Sequence, residues 1–179
     1  MRSSTSNYGI VAVSIHWLSA LFIVGLLISG FLAANTMDAT TKQQILTLHA
    51  PLGFTVLALT LARIAWWKFA DRKPNPVVGM PAWQEFCARA IHLLLYVVIL
   101  GTGASGIGMF ALSGAAGIIF GGDVSPLPNF AEFTPRIPHG IGARVFVLLL
   151  ILHVGAALHH HYVRKDGLLA RMWFHRRTS

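Results

Sequence analysis

Charge is scarce in this chain, and negative charge scarcest. Of 179 residues only 11% are charged, with 6 Asp and Glu against 14 Lys and Arg. A soluble domain carries about a quarter charged residues, so an ordinary water-facing surface is excluded. All six acids fall between the apolar runs or near their ends. A carboxylate proton relay at membrane depth therefore lacks its raw material. Cys87 is the single cysteine, which excludes an intrachain disulfide and any cysteine-based zinc or iron–sulfur site. Neither an internal repeat nor a low-complexity segment is present. The formal charge of +8 could suggest nucleic acid, but the bases sit in connectors and a tail between apolar runs. Anionic lipid headgroups explain them better, and no nucleic-acid partner is expected.

What is abundant is hydrophobic residues, at 55%, together with nine histidines. Four apolar runs, at about 10–34, 44–67, 83–112 and 139–163, are each long enough to cross a hydrocarbon core of about 30 Å. The first is too long for a signal-peptide core and carries His16, so it reads as a retained helix. The connector KPNPVVGMP at 73–81 cannot continue a helix. Residues 113–138 are too apolar for a solvated linker and are expected to lie on the membrane face as a cap. The tail VRKDGLLARMWFHRRTS suits a membrane surface. The expectation is one all-α membrane domain over residues 1–179, a four-helix transmembrane bundle. The glycine-rich stretch GTGASGIG at 101–108 allows close approach of either a neighbouring helix or a flat cofactor.

Lys and Arg set the orientation. Arg2, Arg63, Lys68, Arg72, Lys73, Arg89, Arg164, Lys165, Arg171, Arg176 and Arg177 fall to one side, and Lys42, Arg136 and Arg144 to the other. Eleven against three places both termini in the cytoplasm.

Each histidine then acquires a depth. His16, His92 and His153 fall in an inner layer, while His49 and His139 fall in an outer one. His139 and His153 are fourteen residues apart on one helix, about 21 Å in rise and within about 40° of the same face. Zinc would want four ligands, often including thiolate or carboxylate, which these layers lack. A helix–helix hydrogen bond explains any single histidine. Two depth-matched sets sharing one helix instead suit bis-histidine haem b, one ring on each axial position. Depth alone leaves the inner partner of His153 open between His16 and His92.

SIHWLSA at 14–20, LHAPLG at 48–53, ARAIHLLLY at 88–96, PHGIGA at 138–143 and LHVGAALHHHYVRKD at 152–166 resemble the bacterial cytochrome b561 family over nearly the whole chain. The likeness is greatest to its di-haem superoxide oxidase branch and close paralogues. The resemblance implies two haem b groups, one on His16 and His153 at the cytoplasmic side, the other on His49 and His139 at the periplasmic side. It leaves His92 at the haem periphery or near a quinone, with helix packing as its ordinary role. It also implies a ubiquinone contact at His160; Ser14 and Trp17, beside the inner ligand His16 in sequence, are expected to line the same pocket. His159 and His161 read equally as a wet helix end. Arg144, inside the last run, and Arg136 need anionic partners, such as haem propionates, or could draw a small anion to that edge.

The expected protein is thus a multi-pass cytochrome of the bacterial inner membrane, carrying electrons from periplasmic superoxide through two b haems to ubiquinone. The alternative is a cytochrome b exchanging electrons between the quinone pool and a separate periplasmic redox protein. A haem-free sensor or proton-linked carrier is the reading from a different class.

Overall fold

The structure, a computed structural model, describes residues 2–123 and 125–174. Arg176 and Arg177, two of the eleven cations counted above, lie outside the described residues. Among the described residues four helices are long and apolar enough to span a membrane: α1 (Ile10–Asn35), α2 (Ala39–Ala65), α3 (Ala82–Ser113) and α5 (Arg136–His159). No strand occurs among the described residues. Large apolar side chains such as Leu21, Phe31, Phe86 and Ile151 point outward. That inversion of the soluble pattern is what a helix bundle in lipid requires.

Two boundaries differ from those expected. The second helix begins at Ala39 rather than near residue 44, because the Asp38 carboxylate caps it by accepting from the Thr41 N–H at 2.7 Å. The last helix begins at Arg136, three residues before His139, with Pro138 in its first turn. Proline is tolerated there because its missing N–H would have had no partner inside the helix. Between them the expected cap acquires its own order. Gly114, at φ 67°, ends α3 in the left-handed region, and the short helix α4 (Ala115–Phe120) follows at once. Ala115, Ile118 and Ile119 are buried, and Gln43 of α2 donates to the Ile118 carbonyl at 2.8 Å.

The helices pack chiefly as two hairpins, α1 on α2 and α3 on α5, with α2 touching α3 less. Both α2 and α5 loosen into a π-helical turn, Trp66–Ala70 and His160–Arg164, at the end that holds the termini. There the tail folds back on the bundle. The Trp17 indole N–H donates to the Met172 carbonyl at 2.7 Å, and Trp17 and Trp173 meet edge-to-face at 5.4 Å. Arg171 reaches the Asn75 carbonyl at 2.7 Å. Asp71 accepts from Ser3, from the Trp66 indole and from the Arg72 N–H, fastening the N-terminal segment to the end of α2.

Candidate cofactor site: two histidine pairs inside the bundle

Among the described residues, histidines from different helices meet in two places, both along α5. Toward the loop end, His49 of α2 faces His139 with ring centroids 6.3 Å apart and planes at 70°. Toward the termini end, His16 of α1 faces His153 at the same 6.3 Å, with planes at 67°. Metal–imidazole bonds of about 2 Å on either side of one ion put two trans rings about 6 Å apart. Each pair is therefore spaced so that its two rings could hold one metal ion between them. No group of three or more His, Cys, Asp or Glu arranged for a metal ion occurs among the described residues. The donor set is paired imidazoles, which suits haem.

In this loop-end pair the partners of Nδ1 fix which ring nitrogen is bare. His139 Nδ1 lies 3.0 Å from the Thr102 carbonyl, an oxygen that can only accept, so Nδ1 carries the proton. Ser105 Oγ is 3.2 Å from the same nitrogen and gives its own proton to the Thr102 carbonyl at 2.7 Å. His49 Nδ1 lies 2.9 Å from Ser29 Oγ, whose proton goes to the Gly25 carbonyl at 2.7 Å. Nδ1 is again the donor. In both rings Nε2 is left with its lone pair, the form that ligates a metal. Glycines give these rings their room: a Cβ on Gly30 would lie 3.2 Å from His49 Cε1, and one on Gly106 3.3 Å from His139 Cε1. The glycine-rich stretch thus serves a histidine at Gly106 and plain helix packing at Gly103, which lies against Leu57.

The termini-end pair is built differently. Arg63, within α2, donates from Nη1 to His16 Nδ1 at 2.9 Å. Its own Nε is buried with no hydrogen-bond partner. His92 of α3 stands edge-on to His153 at 5.2 Å, so the inner layer gathers all three of its histidines.

The remaining residues fall at the two ends. Arg136 and Arg144 both lie over Gly140, beside His139: a Cβ there would be 2.9 Å from Arg136 Nη1 and 3.6 Å from Arg144 Nη1. Arg144 is exposed and donates to the Gly140 carbonyl at 3.3 Å. At the other end His160 is buried, and its Nδ1 meets the Asp166 carboxylate, which Arg164 also approaches at 3.7 Å. Burial alone would raise the Asp166 carboxyl. Hydrogen bonds from His160 and the Leu168 N–H, with the charges of His160 and Arg164, outweigh it and hold the group below the ordinary carboxylate range. His159 and His161 are exposed. Ser14 is exposed on α1, and Trp17 has its N–H committed to the tail. Neither is joined to His160 by a hydrogen bond or ring contact among the described residues. Sequence reasoning did not single out Ser29, Thr102, Ser105, Arg63 or Asp166 for the site. Arg63 carries a signal, a cation within an apolar run, but by itself that signal speaks only to topology.

The family model for prokaryotic cytochrome b561 matches residues 7–175. Cytochrome b561 homolog 1 of Escherichia coli is 31% identical over 169 residues, covering 89% of this chain and 93% of that protein. A probable superoxide oxidase, CybB, of Yersinia pestis is 28% identical over 176 residues, covering 93% and 95%. Cytochrome b562 of Cereibacter sphaeroides is 28% identical over 179 residues, covering 93% and 94%.

Proposed function

The chain belongs to the prokaryotic cytochrome b561 family, whose members are membrane b-type cytochromes of electron transfer, and from that premise we propose a two-haem superoxide:ubiquinone oxidoreductase of the bacterial inner membrane. The observation that carries the reading is the recurrence of one 6.3 Å imidazole separation at two levels of one helix. Haem b, when bound, supplies one-electron oxidation and reduction at iron.

The protein's own residues do the rest. His49 and His139 hold the periplasmic group, with Ser29, Ser105 and the Thr102 carbonyl keeping each Nε2 bare. His16 and His153 hold the cytoplasmic one, with His92 at its edge. Lys and Arg distribution favours this orientation, with both termini inside. Arg136 and Arg144 put two positive groups beside His139 at the periplasmic end, where they draw a small anion such as superoxide. The name of the Yersinia pestis relative supports the same donor. At the cytoplasmic end the buried His160 offers a ring held by Asp166, suited to passing protons to a quinone. Trp17, next to His16 in sequence, has no free N–H to offer a quinone. The reaction balances as two superoxide, one ubiquinone and two protons giving two dioxygen and one ubiquinol.

Mixing the purified haem-loaded protein with superoxide in a stopped-flow device tests this. The b-type bands are expected to appear without any partner protein, and ubiquinol to form at one per two superoxide. Bands that stay oxidised would overturn the enzyme reading in favour of electron exchange with a separate periplasmic protein. The 113–138 connection would then be the docking surface.

A further inference from the structure

Arg63 lies two residues short of the end of α2, inside a segment apolar enough to span a membrane. A cation there needs an anion, because uncompensated charge at depth is costly. Among the described residues no carboxylate forms an ion pair with Arg63. Asp71, the acid nearest in sequence, is already engaged with Ser3, Trp66 and Arg72. Burial first, and then Arg63's charge, push the Lys73 ammonium below its ordinary value, so one group that Arg63's charge reaches is itself a cation.

Its one side-chain hydrogen bond among the described residues conflicts with the ring's proposed task. A guanidinium can only donate, so His16 Nδ1 must accept, and the proton of a neutral ring then sits on Nε2. At the other level both rings hold the opposite tautomer, with Nδ1 donating and Nε2 bare. For His16 to ligate through Nε2, Arg63 has to leave Nδ1. The guanidinium then has two unmet needs, an anion and a partner for its buried Nε. A haem propionate carboxylate satisfies both through the paired N–H geometry of arginine.

The two levels also differ in sign. At the periplasmic pair a carbonyl and a hydroxyl accept from Nδ1, which makes the imidazoles more electron-donating and favours the oxidised metal. At the cytoplasmic pair the neighbour is a fixed cation, which favours the reduced one. Resting on the two-site reading above, we propose that Arg63 binds a propionate of the group held by His16 and His153 and makes that site the higher-potential of the two. Electrons then run downhill from the periplasmic pair to the cytoplasmic pair and on toward His160.

An optical redox titration of wild type, Arg63→Gln and Arg63→Lys, with haem counted per chain, tests this. Wild type should show two haems and two resolved midpoints. Arg63→Gln should keep two haems while its higher midpoint falls and the lower stays put. Arg63→Lys, with the charge but not the fork, should recover most of the shift. Loss of one haem in Arg63→Gln that Arg63→Lys restores supports the same pairing. Two haems with both midpoints unmoved, or movement of the lower midpoint alone, overturns the inference while leaving the two-site reading intact. Loss of haem in both variants overturns charge pairing as its basis. Fewer than two haems in wild type overturns the two-site reading and this inference together.

Discussion

At the scale of residues, the site turns on which ring nitrogen holds a proton, and neighbours settle that. Ser29 and the Thr102 carbonyl work because each can only accept once Ser29 has given its own proton to Gly25. Removing such an outer partner typically costs 10- to 100-fold in metal affinity. Ser29→Ala is therefore expected to weaken haem binding at His49 by about that factor, measured by titrating haem into the haem-free protein. Unchanged affinity would mean that Ser29 does not orient the ring. At the far end, Asp166→Asn should slow quinone reduction about tenfold, less than the 100-fold or more expected for losing His160 as a proton donor, with haem content unchanged. Asp166's carboxyl lies below its ordinary value, so its ionised form persists through the ordinary carboxylate pKa of about 4 and is lost only as pH falls through the lowered one. Wild-type quinone kinetics between about pH 5 and 8 should carry no step from this carboxylate. The histidines were legible in sequence because polar rings stand out in apolar runs. Arg63 stood out equally, but its meaning needed positions 16 and 63 side by side, which no spacing rule supplies.

Among elements, the spans were legible because apolar length is the dominant signal for a membrane helix. Their ends were not, because each is set by a local device. Asp38 extends α2 backwards through one cap, and Pro138 fits inside a first turn instead of preceding it. The π-helical turn at His160 was also invisible. It begins at the residue expected to continue an α-helical face, so the step from His153 to His160 changes winding where the Asp166 contact forms. Close approach of α3 and α5 makes a sharp prediction. A Cβ on Gly142 would run into the Thr102 hydroxyl, the residue whose carbonyl holds His139. Gly142→Ala should destabilise the protein by about 1–3 kcal/mol in detergent unfolding, the usual cost of overpacking. Haem loss should fall first on the His139 level. Wild-type stability in that variant would show that the two helices are not in contact there.

For the whole molecule, the tail, the N-terminal segment and the connector between α2 and α3 form one tied end. Composition suggested only a tail lying on a membrane surface. Its return onto Trp17 and Asn75 rests on hydrogen bonds between residues far apart in sequence. Asp71 is a clasp of that end. Burial opposes its ionisation, but hydrogen bonds from Ser3, Arg72 and Trp66 outweigh it, so its folded value is depressed. The stability it contributes is complete above the unfolded carboxylate pKa of about 4 and is lost as pH falls through the folded value. Asp71→Asn should therefore lower the thermal midpoint at neutral pH and flatten its acid dependence. An unchanged acid profile would remove Asp71 from that role.

Two histidine pairs making two haem sites in one four-helix chain is tested most directly by haem per polypeptide, measured on purified wild type and on His49→Ala. Two b haems are expected in wild type and one in His49→Ala, with the remaining haem held by His16 and His153. An unchanged ratio in the variant, or one haem in wild type, would contradict it.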